Sequence, residues 1–395
     1  MAKQFHWNLS EQGLILSSFF YGYIITQILG GILADKYGGK SILIFAGLSW
    51  TIFTLITPLF SSWGVGGLCL IRILLGLGEG VSFPASHSII SKWALKNQRS
   101  TAVSILTSFS YAGSPLAALI AAPLATEENW KWIFYCFGIM SLVWTLIWFY
   151  FGKSQPESRI YEDYQSLESN EETVTINKSV FHLFYQDIIS APWIKIFTSK
   201  EVWAILTNQF CSSWSFYILI NWLPTYFQQT FQKEITELGV YSALPYAAQG
   251  ILGICAGFYS DYLQKSKNIP VSKLRLWFQI IGMLGPSIFM ILTIYQDKNI
   301  NMALLMLTLT MGLSGLTLAS LSTNQHDIAP NHAGLIFALG NTFATLPGQL
   351  AVYLTGWMLE NNYGWGSIFG LAAFIRSLGA IFWFFLAGGD KVVIY

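Results

Sequence analysis

Apolar runs of roughly 20 residues recur along the whole chain, separated by polar stretches that hold most of the charge. A run of that length crosses a hydrocarbon core of about 30 Å as an α-helix. The runs are continuous and lack the period-two alternation of a transmembrane barrel strand, so each predicts a helix. Spans are expected at about residues 14–34, 41–61, 66–88, 101–124 and 131–151. After a polar stretch they resume at about 201–227, 238–261, 274–295, 302–323, 333–358 and 365–386. The pattern predicts an all-α membrane protein of eleven transmembrane helices. Five form an N-terminal bundle (1–151), a linker follows (152–200), and six form a C-terminal bundle (201–395).

Composition agrees. Of the 395 residues, 53% are hydrophobic and 10% charged, where soluble domains carry about 25% charged. The net charge of +1 excludes a basic nucleic-acid surface and an acidic tail. Taking alternate loops, fifteen Lys and Arg fall on one side and four on the other, with Arg72 and Arg376 left inside spans. The positive-inside rule places the rich side, the linker and the C-terminus in the cytoplasm, and Met1 outside or in a lumen. The linker clusters Glu157, Glu162, Asp163, Glu168, Glu171 and Glu172 and reads as solvated. Met1 to Gly13 is too short and polar for a cleavable signal, so insertion rests on the spans. Cys69, Cys136, Cys211 and Cys255 lie in apolar runs with no metal or redox spacing, so no metal and no cofactor are expected.

The chain repeats itself. Glu11, Gly13, Ile25, Ile28, Gly31 and Asp35 recur as Glu237, Gly239, Ile251, Ile254, Gly257 and Asp261, all at an offset of 226. Parallel repeats of this kind build many secondary transporters. At the same offset the span at 201–227 pairs with positions before residue 1, so the first helix of a usual twelve is expected upstream of Met1.

Gly31-Ile-Leu-Ala-Asp35-Lys36-Tyr-Gly38-Gly-Lys40 resembles the loop signature of the major facilitator superfamily. Small Gly31 permits close helix approach, Asp35 can cap the next helix, and Lys36 and Lys40 hold the cytoplasmic side. Further stretches resemble that superfamily's anion:cation symporter branch. They include Ser18-Phe-Phe-Tyr-Gly-Tyr23-Ile-Ile-Thr-Gln27, Arg72-Ile-Leu-Leu-Gly-Leu-Gly-Glu79-Gly, Trp214-Ser-Phe-Tyr217, Leu223-Pro-Thr-Tyr226 and Asp327-Ile-Ala-Pro330. The resemblance implies a two-bundle major facilitator fold and a substrate cavity to which Tyr23 and Tyr217 contribute. The chain departs from the vesicular glutamate type, with Ser212 at a usual Arg and Leu16 at a usual His, which speaks against that role. It also lacks the branch's first-helix Arg, and its Asn324-Gln325-His326-Asp327 order differs from the family's Asn-His-x-Asp.

Arg72 and Glu79 carry the candidate chemistry. A charge near the centre of a span costs at least about 2.5–3.5 kcal/mol and is functional by default. Seven residues leave the two within roughly 20° of one helix face and about 10 Å apart along the axis. Arginine suits an anion because its planar fork binds two oxygens at once. Glu79 is the candidate coupling group, exchanging a proton in each cycle, and His87 beyond the Pro84 kink is a second candidate station. Tyr23, Tyr217, Asn221, Asn324 and Asn341 complete the expected substrate-binding set. Gly31, Asp35, Lys36, Gly38, Lys40 and Asp261 form the expected gate and loop motif. Arg376 reads as a buried or snorkelling charge away from substrate. Gly76, Gly78 and Gly80 read as sites of close helix packing. The expected function is secondary active transport of a small anion, phosphate or carboxylate, coupled to H⁺ or Na⁺, by a monomer in the bilayer. Uniport or channel-like conduction, or a receptor on a transporter scaffold, are the alternatives. No nucleophile–base pair indicates an enzyme.

Overall fold

The computed structural model describes residues 1–2, 4–93, 99–126, 128–155, 193–233, 238–267, 269–318, 320 and 333–386; at some helical positions only the backbone is described. Helices α1 (Leu9–Tyr37), α2 (Gly39–Phe60), α3 (Gly64–Glu79), α4 (Ser82–Trp93), α5 (Arg99–Ala121) and α6 (Trp130–Phe151) make the first half. After the short α7 (Trp193–Thr198) come α8 (Lys200–Phe231), α9 (Leu238–Lys267), α10 (Val271–Ile294), α11 (Ile300–Ser314), α12 (Ala333–Glu360) and α13 (Gly364–Leu386). Within the described residues, each expected span therefore falls largely on helix. Among the described residues six stretches are long and apolar enough to cross a bilayer by composition alone, the first running continuously over 39–90. Two expectations need correcting. The 66–88 span is two helices, α3 and α4, joined by a turn at 80–81, and the 302–323 span is interrupted at Gly315. Pro84 accounts for the first interruption, because it has no N–H to continue the ladder and its ring crowds the preceding turn.

Local signals set the helix starts. Asn8 and Glu11 cap α1 reciprocally: Glu11 N–H donates to Asn8 Oδ1 (2.8 Å) and Asn8 N–H to Glu11 Oε2 (2.9 Å). Ser199 accepts from Val202 N–H at the start of α8, and Asn299 from Met302 N–H at the start of α11.

Two compact units emerge. One comprises Met1–Phe20, Ser108–Ile133 and Pro192–Tyr395; the other comprises Tyr21–Thr107 and Phe134–Ala191. In the first, α8 packs on α12 and α13, α10 on α11 and α13, and α9 on α11. Its core runs through Trp214, Ile218, Leu223, Tyr226, Phe227 and Phe369. Gly13 of α1 meets Gly356 of α12 backbone to backbone, which only paired glycines allow.

In the second unit α2 packs on α3 and α4. Ala34, Ile42, Leu43, Ala46, Val81 and Ala85 form its core, with Trp50 and Trp148 against them. Thr51 donates to Ser141 (3.0 Å), tying α2 to α6 where Gly47 faces Thr145. A Cβ at Gly22 would run into the backbone of Ile73 and Leu77, so α1 lies directly along α3. Gly78 against Ser49 and Gly80 against Tyr23 and Thr26 are likewise close-packing positions, as expected.

Candidate functional site

Arg72 and Glu79 both lie on α3, half-buried, two turns apart on nearly one face. Neither side chain has a hydrogen bond or ion pair among the described residues. Tyr23 belongs to the same unit, and its carbonyl presses on Gly80, the residue after Glu79. The structure thus sets α1 at Tyr23 against the end of the helix that carries Arg72 and Glu79. That approach exists because small residues, Gly22 on α1 and Gly80 past the end of α3, let the backbones touch. His87 sits half-buried on α4, beyond the turn.

Tyr217 and Asn221 are successive turns of α8 in the other unit. The Tyr217 ring stands edge-on to Phe20 with centroids 4.7 Å apart, and Asn221 Nδ2 donates to the Tyr217 carbonyl (2.9 Å). Among the described residues no donor reaches the amide oxygen of Asn221. Phe20 packs with Trp222 and Val352, and Trp222 Nε1 donates to the Val352 carbonyl (3.2 Å). Phe20 was not singled out by sequence, since one Phe in an apolar run carries no mark. Asn341 is half-buried on α12, and its side chain makes no hydrogen bond among the described residues. Asn324 lies outside the described residues.

The loop motif is built in the second unit. Gly38, between α1 and α2, adopts φ +84°, a conformation that favours glycine. A side chain there would also strike Ser154. Ser154 Oγ instead accepts from Lys40 N–H (3.1 Å), and Lys40 Nζ lies 5.7 Å from the Phe149 ring centre. The loop is thereby latched to the end of α6. Gly31, Asp35 and Lys36 are helical in α1 and Asp261 in α9; the side chains of these residues lie outside the described set.

Arg376 is a second intramembrane arginine with a different setting. It is 1% exposed. One terminal nitrogen donates to Ser215 Oγ (2.5 Å) and the Ser212 carbonyl (3.5 Å), the other to the Gly282 carbonyl (2.8 Å) and Ser314 Oγ (2.8 Å). These acceptors come from α8, α10 and α11, all neutral. Sequence placed Arg376 among buried charges and could not name these partners, which lie 62 to 164 residues away.

Residues 1–352 match the Major Facilitator Superfamily. This chain belongs to that superfamily. Sialin of Ovis aries is 38% identical over 98% of this chain and 77% of its own length. Sodium-dependent phosphate transport protein 1, chloroplastic, of Arabidopsis thaliana is 32% identical over the whole chain and 75% of its own length. The chain sits in the anion:cation symporter branch of the superfamily. The crystal structure of a D-xylose-proton symporter shares the fold, with a TM-score of 0.75 at 16% identity over 97% of this chain and 89% of that one. The protein is a multi-pass integral membrane protein of a transporter family, not an enzyme.

Proposed function

We propose that this major facilitator protein carries a small anion, phosphate or a small organic carboxylate, by alternating access coupled to H⁺ or Na⁺. The observation that carries the reading is Arg72, an intramembrane guanidinium with no acceptor among the described residues. Such a charge is costly in a bilayer, and its five N–H donors need oxygens. A carboxylate or phosphate supplies two in the plane of the fork. Tyr23, in the same unit as Arg72, is a further hydrogen-bonding group for the substrate, and Tyr217, Asn221 and Asn341 are the candidates in the other unit. Glu79 is the group whose occupancy by H⁺ or a metal cation changes between inward and outward states. The linker and C-terminus face the cytoplasm in this reading, as the Lys and Arg distribution requires. The two relatives described above fit an anion substrate.

The test is purified full chain in liposomes, with exchange of radiolabelled phosphate and a panel of carboxylates. Arg72→Lys keeps the charge and loses the fork, so apparent affinity for the anion should fall at least tenfold. Glu79→Gln should still exchange anion but lose accumulation driven by an imposed H⁺ or Na⁺ gradient. Exchange of no anion by the wild type, or unchanged affinity in Arg72→Lys, would overturn the reading.

A further inference from the structure

Positive charge collects at the edge of the second unit where α2 begins and α4 and α6 finish. The stretches 35–40, 92–99 and 150–156 hold six basic residues, Lys36, Lys40, Lys92, Lys96, Arg99 and Lys153, against one acid, Asp35. The structure describes the side chains of Lys40, Lys92 and Lys153 and joins the three helix ends that carry them. A Cβ at Gly39 would run into Ile89 and the Ala85 carbonyl, so α2 starts hard against α4. Lys92 follows Ile89 by three residues, in the last turn of α4. Trp93 Nε1 donates to the Lys153 carbonyl (3.2 Å), and Lys40 N–H donates to the hydroxyl oxygen of the next residue, Ser154 (3.1 Å). Among the described residues neither the Lys40 nor the Lys92 ammonium has an ion pair or a hydrogen bond. Lys40 Nζ lies instead over the Phe149 ring.

The charge sits in an aromatic rim. Phe149, Tyr150 and Phe151 of α6 and Trp93 of α4 are exposed, and the exposed Phe45 and Ile147 continue an apolar face along α2 and α6. Aromatic side chains gather at the level of the lipid headgroups, and a lysine stem lies along apolar surface while its ammonium reaches that level. A phospholipid meets both features at once, with its phosphate at the ammoniums and its acyl chains on the apolar face. A free phosphate ion would use the charge and leave the rim without a role. Each lysine close to an anionic lipid surface is worth about fivefold in affinity.

The other end of α6 supplies the contrast. Lys131 also stands over an aromatic ring, that of Trp130 (5.9 Å). Glu127 and Glu128 precede it in sequence, so the stretch carries no net positive charge. Trp130 is buried, and its Nε1 donates to Gln4 Oε1 (2.8 Å), so no exposed rim surrounds the lysine there.

We propose that this edge binds one anionic phospholipid, with its phosphate held by the Lys40 and Lys92 ammoniums and the Ser154 hydroxyl, and its acyl chains on the exposed face of α2 and α6. The site is independent of the transported anion and of Arg72, and its test measures no transport. The purified full chain in neutral detergent is titrated with phosphatidylglycerol and, separately, with phosphatidylcholine. Lipid retained in native mass spectrometry and the thermal unfolding midpoint are the readouts. Phosphatidylglycerol should bind saturably and raise the midpoint, more weakly as salt is raised, and phosphatidylcholine should bind at least tenfold less tightly. Inorganic phosphate at constant ionic strength should not displace the lipid. Lys40→Gln and Lys92→Gln should each weaken phosphatidylglycerol about fivefold and together roughly twenty-five-fold, while Lys131→Gln leaves it unchanged. Equal retention of the two lipids, or an unchanged affinity in the Lys40→Gln, Lys92→Gln double variant, would overturn the site. Displacement by inorganic phosphate would overturn it in favour of a free-anion site, and an equal loss in Lys131→Gln would reduce it to attraction by net charge.

Discussion

Arg376 and Arg72 are the same side chain in the same kind of place, the interior of an apolar span, yet their surroundings differ in every respect. Arg376 is fully buried, and both terminal nitrogens are engaged by acceptors from three other helices. Arg72 is half-buried on α3 and engaged by none among the described residues. A charge whose two terminal nitrogens are both taken by the fold is a fastener, tying α13 to α8, α10 and α11, even though its Nε–H is buried without a partner. A charge to which the described residues give no hydrogen bond, only the field of Glu79 on the same helix, is in the proposed function the one held for the anion. Membrane burial of an ionisable residue alone does not separate these cases. The hydrogen-bond inventory does.

The largest expected effect lies at Arg376. Arg376→Ala removes four hydrogen bonds and leaves a cavity in the core, so it should destabilise the protein by about 2–5 kcal/mol. Arg72→Ala removes no hydrogen bond among the described residues, only the attraction to Glu79, and should change stability by less than about 1 kcal/mol, while anion binding is lost. Thermal unfolding in detergent, with anion binding measured on the same preparations, checks both. Equal destabilisation by the two substitutions would break the distinction.

A somewhat smaller effect is expected where α1 lies along α3. Gly22→Ala drives a methyl group into the backbone of Ile73 and Leu77, which cannot rotate away. Overpacking of that kind costs about 1–3 kcal/mol. Because the displaced backbone is that of α3 beside Arg72, anion affinity should fall along with the unfolding midpoint. Gly257→Ala meets nothing within 4 Å and serves as the control, expected to leave both unchanged.

How much of this was legible in the sequence follows from the same physics. The spans were legible because hydropathy over about 20 residues is a local property. Arg72 and Glu79 were legible because a charge in such a run is rare and costly. Pro84 announced a kink, but that α3 stops at Glu79 and a turn at 80–81 separates it from α4 depends on the neighbouring backbone. Gln27 closes a stretch that carries the family resemblance, and only its burial without a partner sets it apart. The partners of Arg376 were hidden for a different reason: serine hydroxyls and carbonyls in apolar helices give no signal until the helices are packed. Nothing in the sequence marks Ser215 or Ser314 as a partner of a distant arginine.

The smallest expected effect tests the fastener bond by bond. Ser314→Ala removes one acceptor of Arg376, and a hydrogen bond to a charged group is worth about 1.5–3 kcal/mol. Ser314 also donates to the Thr310 carbonyl, but that carbonyl already lies within a helix and loses little. In an Arg376→Met background the hydroxyl has no cation to receive, so Ser314→Ala should then cost only a few tenths of a kcal/mol. The Met side chain fills much of the volume, and a buried charge replaced by an apolar group is often tolerated. The cycle of the two single substitutions and the double one should give a coupling energy of about 1–2 kcal/mol. Repeating it with Ser82→Ala and Arg72→Met in the first half should give a coupling indistinguishable from zero, since no bond joins that pair among the described residues. A coupling near zero at Ser314 and Arg376 would mean that the guanidinium is held by carbonyls alone. A sizeable coupling at Ser82 and Arg72 would mean that the first half also closes on its own arginine, and Arg72 would lose its claim to be open for an anion.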